Sequence, residues 1–329
     1  MNSTTLSYQN LTPECQLDAL ASIGIYPETG LLALNSYENR VYSFKDENQH
    51  RYVVKFYRPG RWSEQQLLED HDFSLNLSTA GLHLSAPIEI AGKTLHLFAG
   101  YYFALFDNLS ARSLAVDNID SLYDVGIALG KLHKASEQYQ FKYRPTLNVL
   151  NEITLSQQSL KSCEYIPNTI KPLLFKTIEQ IQEKISVLAL PKLPLIAIHG
   201  DAHASNILLK DEQPYWVDFD DCKMEPAVQD IWMLLNGTRN EQQVQLSMLL
   251  EGYQEERDFD TKQLAYIEVL RTMRIINYVS WINNRWEDPA FYLNFPWFIT
   301  DQYWKELLQS LQQQLSLLDE APLALQPQY

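Results

Sequence analysis

Before residue 110 the apolar positions fall mainly in short runs rich in β-branched and aromatic residues; after it they fall mainly at helical spacing. LTPECQLDALASIGI opens with a short helix. Thr12 suits the cap and Pro13 the first helical position, where its missing N–H is no loss. GLLALNSYENRVYSF and RYVVKFY read as strands around the polar KDENQH, a hairpin pattern. SEQQLLEDHDFSLNLSTAG predicts a helix over about 64–79: Ser63 and Gln66 form a capping box and Gly81 supplies a stop. APIEIAGKTLHLFAGYYFALFDN follows as two or three strands with a turn near Gly92.

Beyond DNLSARS the period changes. DSLYDVGIALGKLHKAS places Leu122, Val125, Leu129 and Leu132 on one helix face. A second helix is expected over 168–187, then a short apolar strand in PKLPLIAIHG. A small hairpin follows, in which DEQP joins ILLK to YWVDFDD. Helices dominate from Ala227 onward, and no internal repeat is visible. The expected organisation is α+β: a small β-rich N-terminal lobe over 1–109, a hinge near 107–113, and a larger helical lobe over 110–329.

Composition narrows the class. The 329 residues are 46% hydrophobic and 20% charged, ample for a packed core. Lys plus Arg number 26 against 41 Asp plus Glu, a net charge of -15. No cationic footprint for phosphate backbones is present, so nucleic acid is excluded as the main partner and anionic lipid is disfavoured. The three cysteines, Cys15, Cys163 and Cys222, lie far apart without a C-x-x-C, which fits a reducing compartment. MNSTTLSYQNLTPE lacks the basic flank and apolar core of a leader. No run approaches the roughly 20 apolar residues that span a bilayer. A cytoplasmic monomer without membrane insertion is expected.

Candidate chemistry concentrates in AIHGDAHASNILL, residues 197–209. On a strand, His199, Asp201 and His203 would share a face and could bind zinc or iron. Gly200 and AHAS read as a loop, however, and no distant His or Cys cluster completes the set. Phosphoryl transfer uses other residues. Asn206 follows Asp201 by five positions and Asp218 follows Asn206 by twelve, at the end of the strand YWV. That is the spacing of a kinase catalytic loop and its metal-binding aspartate. Asp201 suits a carboxylate that accepts or orients the attacking hydroxyl; Asn206 and Asp218 suit the hard oxygen ligands that Mg²⁺ requires. Any one of these alone would more often be a turn residue or a cap; three at this spacing point to function.

A kinase also needs a lysine on the small lobe's sheet, and RYVVKFY supplies Lys55. Alone, it could equally be an edge-strand lysine facing solvent. Within an apolar strand it requires an anionic partner. The helix over 64–79 offers Glu69, with Asp70 or Glu64 as alternatives. LNSYENRVY, residues 34–42, occupies the position of a phosphate-covering turn but has no glycine. Ser36 and the turn's N–H groups could contact phosphate there, or the segment is an ordinary polar turn.

HGDAHASNILL…VDFDD resembles the choline/aminoglycoside kinase superfamily, whose loop reads H-G-D-x-H-x-x-N where protein kinases have H-R-D. LNSYENRVY, VVKFYRPGRW, HGDAHASNIL, WVDFDD, PAVQDIWMLLNG and DPAFYLNFPW together resemble its bacterial stress response kinases over nearly the whole chain. The resemblance implies a bilobal protein-kinase-like fold of the aminoglycoside/choline kinase type. It implies an ATP- and Mg²⁺-dependent serine/threonine protein kinase acting in the cytoplasm against envelope or oxidative stress and cell death. It carries over Asp201 as proton acceptor, Asn206 and Asp218 as magnesium ligands, with Asp218 also catalytic, and Ser36 at ATP. Ser205 departs from the pattern, standing where glycine is expected.

Other positions have two readings each. His199 is expected to brace the loop rather than bind metal. Asp220 and Asp221 are either a second metal contact or, preferably, a turn. Asp230 caps a helix or supports the loop. Arg271 and Arg274 share a face and form a salt bridge within the lobe or meet substrate, the former favoured. FYLNFPWF is expected in core packing, and YYFALFDN to lead into a hinge whose main chain reads adenine. Only eleven residues separate Asp218 from Asp230, with no A-P-E. That is short for a peptide platform, so a small-molecule kinase for an amino alcohol or aminoglycoside stays open. So does a nucleotide-binding protein without turnover.

Overall fold

The computed structural model describes residues 7–114 and 119–325, residues 119 and 120 by backbone alone. Residues 1–6, on which the reading of a leaderless N terminus partly rests, lie outside these. In chain order the described elements are α1 (Pro13–Ala21), β1 (Leu32–Ala33), β2 (Arg40–Lys45), β3 (Arg51–Phe56), α2 (Glu64–Thr79), β4 (His96–Phe98), β5 (Tyr101–Asp107), β6 (Arg112–Ser113) and α3 (Ile119–Ser136). Then come α4 (Val149–Lys161), α5 (Lys171–Val187), β7 (Ile196–Ile198), β8 (Ile207–Lys210), β9 (Gln213–Trp216), β10 (Lys223–Glu225), α6 (Val228–Trp232), α7 (Arg239–Gln254), α8 (Ile267–Asn283), α9 (Pro289–Asn294) and α10 (Asp301–Leu317).

These elements form two compact units. The first comprises the chain up to Pro145, Ile196–Glu225 and Ser247–Phe259. The second comprises Thr146–Leu195, Pro226–Leu246 and the chain from Asp260.

In the first unit, an antiparallel sheet runs in the order β1-β2-β3-β5-β4. Because side chains alternate across a strand, β3 serves two faces. Val54 and Phe56 join Leu20, Phe44, Phe103 and Leu105 in a core under α1. Val53 and Lys55 point to the other face. Lys55 sits on a central strand, opposite Val41 and Ala104, and so is no edge lysine. The α2 capping box is present: Ser63 Oγ accepts the Gln66 N–H at 3.3 Å and Gln66 Oε1 accepts the Ser63 N–H at 3.0 Å.

The same unit carries the sheet β6-β8-β9 and the pair β10-β7. Asp211 and Glu212 join β8 to β9 at φ 51° and 60°, as a two-residue primed turn requires. The second half of α7 meets α3 backbone to backbone. A Cβ on Gly126 would lie 2.1 Å from Leu249 O, and one on Gly252 2.0 Å from Tyr123 O, so side chains are excluded at both.

The second unit packs α4 against α8 and α5 against α10. Its centre is aromatic: the Trp281 and Phe291 rings lie 4.7 Å apart, and Phe298 and Trp304 5.1 Å apart. Phe291, Phe295 and Phe298 of FYLNFPWF lie in core packing, whereas Tyr292 and Leu293 are exposed. Arg271 pairs with Glu268 at 3.0 Å on the same helix, so it takes the salt bridge within the unit. Asp230 is buried in α6. Helix α4 is an addition to the expected elements; its buried stripe is Ile153, Ser156, Gln157 and Leu160.

Candidate active site

Strand β7 delivers fully buried His199 and then Gly200, whose φ is +84°. A Cβ there would sit 2.1 Å from Asp221 O, so only glycine lets this loop lie against the turn after β9. His199 Nε2 reaches Val217 O at 3.0 Å and Nδ1 accepts the Asp201 N–H at 3.3 Å. Both ring nitrogens are committed, so this histidine braces two loops. The Asp201 carbonyl accepts His203 N–H at 2.8 Å and Asn206 Nδ2 at 3.0 Å. Its carboxylate lies 3.3 Å from both Asn206 Nδ2 and His203 Nε2. Asp201 and Asn206 are therefore one bonded unit. With Nδ2 turned to Asp201, the Asn206 amide oxygen is the atom left to face a cation. The Val217 N–H to Asn206 O bond, 3.0 Å, then ties this loop to the approach of Asp218.

Asp218 has φ +64°, a left-handed conformation uncommon for a residue with a side chain and most often met at functional sites. Its Oδ1 lies 2.6 Å from Lys55 Nζ. Asp220 Oδ1 lies 2.6 Å from the same nitrogen. Burial works against the charge on Lys55, but the two carboxylates overcome it and hold its pKa well above the ordinary lysine value. Burial likewise opposes ionisation of Asp220; Lys55 and Arg61 prevail and bring it to about 2.

Glu69 does not pair with Lys55, contrary to expectation. Its carboxylate accepts the consecutive N–H groups of Lys142, Tyr143 and Arg144 at 2.6, 2.8 and 2.7 Å. The reason is rotational. The buried stripe of α2 runs through Leu67, Asp70, His71, Phe73, Ser74 and Leu77, and Glu69 falls just outside its edge, on the side of Phe73. Asp70 is the carboxylate of α2 turned to the site. Burial raises it to about 7 against the pull of Arg144, whose Nη2 lies 3.5 Å away. Nor is Asp220 a mere turn residue. It is 3% exposed and bonded to Asn39 Nδ2 as well as Lys55, while its carbonyl accepts Arg144 Nη1. Asp221 pairs with Arg61 at 2.6 Å.

A cavity of about 320 Å³ opens in this unit, within the usual size of small-molecule sites. It is lined by Val41, Val53, Leu208 and Val217, by Lys55 and Asp218, by the chain after β5 from Asn108 to Ala111, and by Asp70, His71 and Ser74 of α2. Ser36 lies in the β1–β2 connection, two residues beyond Leu34, which lines the cavity; Ser36 itself is outside the lining, as are Asp201 and Asn206. Among the described residues no group of three His, Cys, Asp or Glu is placed to hold a metal by itself. One carboxylate and one amide oxygen suit a hard cation that completes its shell with phosphate oxygens and water.

The model of the phosphotransferase enzyme family APH matches residues 30–266. The chain belongs to the APH phosphotransferase enzyme family. Across the full length of both chains it is 41% identical to Stress response kinase A of Escherichia coli K12. It is 40% identical over the full length of both to the Serine/threonine protein kinase RdoA of Salmonella typhimurium LT2. Among solved structures, an amicoumacin kinase in complex with AMP-PNP, Ca²⁺ and Ami superposes with TM-score 0.71 over 94% of each chain, at 21% identity. The fold is that of aminoglycoside- and choline-kinase-like phosphotransferases, and this APH family member is a kinase. No helix among its described residues is long and apolar enough to cross a membrane.

Of the expected site residues, Lys55 and Asp218 are brought together and Asp201 joins Asn206. Asn39, Arg61, Arg144 and Asp220 complete the constellation. Asn39, Arg61 and Asp220 sit inside motifs already conspicuous, LNSYENRVY, VVKFYRPGRW and VDFDD; nothing in the sequence marks Arg144.

Proposed function

We propose that the chain is an ATP- and magnesium-dependent serine/threonine protein kinase, passing the γ-phosphate of ATP to a protein hydroxyl. The observation that carries this is the meeting of Lys55 with Asp218 in the lining of a cavity rich in apolar side chains, in the unit whose loop bonds Asn206 to Asp201. ATP would lie among Val41, Val53, Leu208 and Val217, its adenine read by main chain after β5. Lys55 steadies the α/β-phosphates, and Ser36 with the turn's N–H groups approaches them. Asp218 and Asn206 would hold magnesium, which would offset the negative charge of the phosphates. Asp201 orients the acceptor hydroxyl and takes its proton. Residues 1–109 form the nucleotide lobe and 110–329 the catalytic and acceptor side. A part in the stress response is taken from the name of its full-length relative, and the kinase would act in the cytoplasm as a monomer.

One observation favours a small-molecule acceptor instead. β10 and α6 follow the Asp218 turn at once, leaving no extended segment on which a peptide could lie. Incubation with labelled ATP and Mg²⁺, alone, with mixed proteins, and with amino alcohols or aminoglycosides, separates the two. Label on protein serine or threonine is expected. Label on small alcohols alone would replace the proposal with the second reading, and label on neither would end both.

A further inference from the structure

Asp218 and Asp220 are two residues apart and touch the same ammonium, yet they are held differently. The Asp218 side chain is 43% exposed; that of Asp220 is 4% exposed. Among the described residues Asp218 makes its ion pair with Lys55 alone. Both carboxylate oxygens of Asp220 are occupied: Oδ1 by Lys55, Oδ2 by Asn39 Nδ2 with the Arg61 guanidinium 3.9 Å away. Its carbonyl is held by Arg144. Asn39 is fixed in turn, since its Oδ1 accepts the Arg58 N–H at 3.1 Å. So Asp220 has neither a free oxygen for a cation nor room to swing, and Asp218 has both. The carboxylates of α2 are committed elsewhere, Glu69 to three backbone N–H groups and Asp70 to Arg144.

We propose that Asp220 is the standing counter-ion of Lys55, a positioning residue that keeps the ammonium aimed into the cavity while Asp218 exchanges Lys55 for a nucleotide-bound cation. It rests on the phosphotransfer reading above. The task of a helix carboxylate is moved to the turn that also carries the metal aspartate. Lysine and metal ligand are then set by one rigid piece of chain. Without Asp220, Lys55 would have Asp218 as its remaining partner and would compete with the cation for it.

The test is a double-mutant cycle on the full chain: wild type, Lys55→Ala, Asp220→Asn and both together, with Mg·ADP affinity by calorimetry and kcat and KM for ATP. A residue acting through Lys55 loses its effect once Lys55 is gone, whereas independent losses multiply. Asp220→Asn is expected to weaken Mg·ADP binding roughly tenfold, and the double variant to match Lys55→Ala within about twofold. Losses that multiply, or a raised Mg²⁺ requirement that persists in the Lys55→Ala background, would overturn the proposal; the latter would make Asp220 a metal ligand. If Asp220→Asn does not fold, Asn39→Ser decides by the same cycle, since it loosens Asp220 while keeping both charges. Failure of the wild type to bind Mg·ADP would overturn the phosphotransfer reading and this inference with it. Normal wild-type binding with multiplying losses would overturn the inference alone.

Discussion

The two compact units differ in where buried charge gathers. The first encloses Lys55, Asp70, Arg144 and Asp220, each at most 7% exposed. The second has Phe291, Phe298 and Trp304 at its centre, each fully buried. Rings that leave water stabilise by area, and many packings of similar volume would serve. Buried charges cost several kcal/mol each unless matched, and matching rarely yields a surplus over apolar packing. A set of them is retained where an ammonium must be held in one place and exchange partners. Chemistry should therefore be sensitive to the first unit's charges, and stability to the second unit's rings.

Substitutions can break that contrast. Asp201→Ala should lower kcat/KM by about a thousandfold while Mg·ADP affinity and the melting temperature hold, since general base catalysis contributes on the order of 10²–10⁴. Normal turnover would remove Asp201 from its role. Trp304→Ala should cost about 3–5 kcal/mol in denaturant unfolding and leave kcat per folded molecule intact. A large change in kcat would mean that the second unit's core does more than pack.

His71 sharpens the contrast through pH. It is buried between the Tyr57 hydroxyl, 2.7 Å, and Thr94 Oγ1, 2.9 Å, and burial lowers its pKa to about 3. The unfolded chain takes up this proton near pH 6.5, the folded one only near 3. Between those values the unfolded state binds more protons, so this contribution is present above about pH 6.5 and is lost as pH falls toward 3. His71→Asn should flatten the melting temperature across that window; an unchanged slope would mean that His71 charges in place. Smallest, Ser63→Ala should cost about 1 kcal/mol by removing the α2 cap, with a modest rise in KM for ATP because α2 lines the cavity.

What could be read from the sequence was local. The α2 helix was legible because its cap and stop lie within its own residues, and Asp201 with Asn206 because five positions separate them. Lys55 and Asp220 are 165 residues apart, and Asn39 and Asp220 181, so no window contains either pair. Glu69 is the instructive miss. Charge alone does not choose between neighbours on a helix: adjacent positions point about 100° apart, and the stripe of Leu67, Ser74 and Leu77 turns Asp70 rather than Glu69 inward, where it meets Arg144 while Lys55 takes Asp218 and Asp220. Polar members of that stripe marked the site, and read as breaks in an apolar pattern they conceal it. The Asp220 turn was weighed as metal ligand or loop, whereas its environment comes from three distant segments.

The first unit's assembly from three separated stretches bears on how the protein is made. During synthesis the sheet with Lys55 leaves the ribosome long before the turn with Asp218 and Asp220 exists. At about 5–20 residues per second the delay is roughly 10–30 s. Through that interval the ammonium has no built partner, and burying it would be prohibitive, so the nascent sheet must remain open on that face. Its core under α1 can form at once, but the nucleotide face cannot close until the chain has passed residue 221.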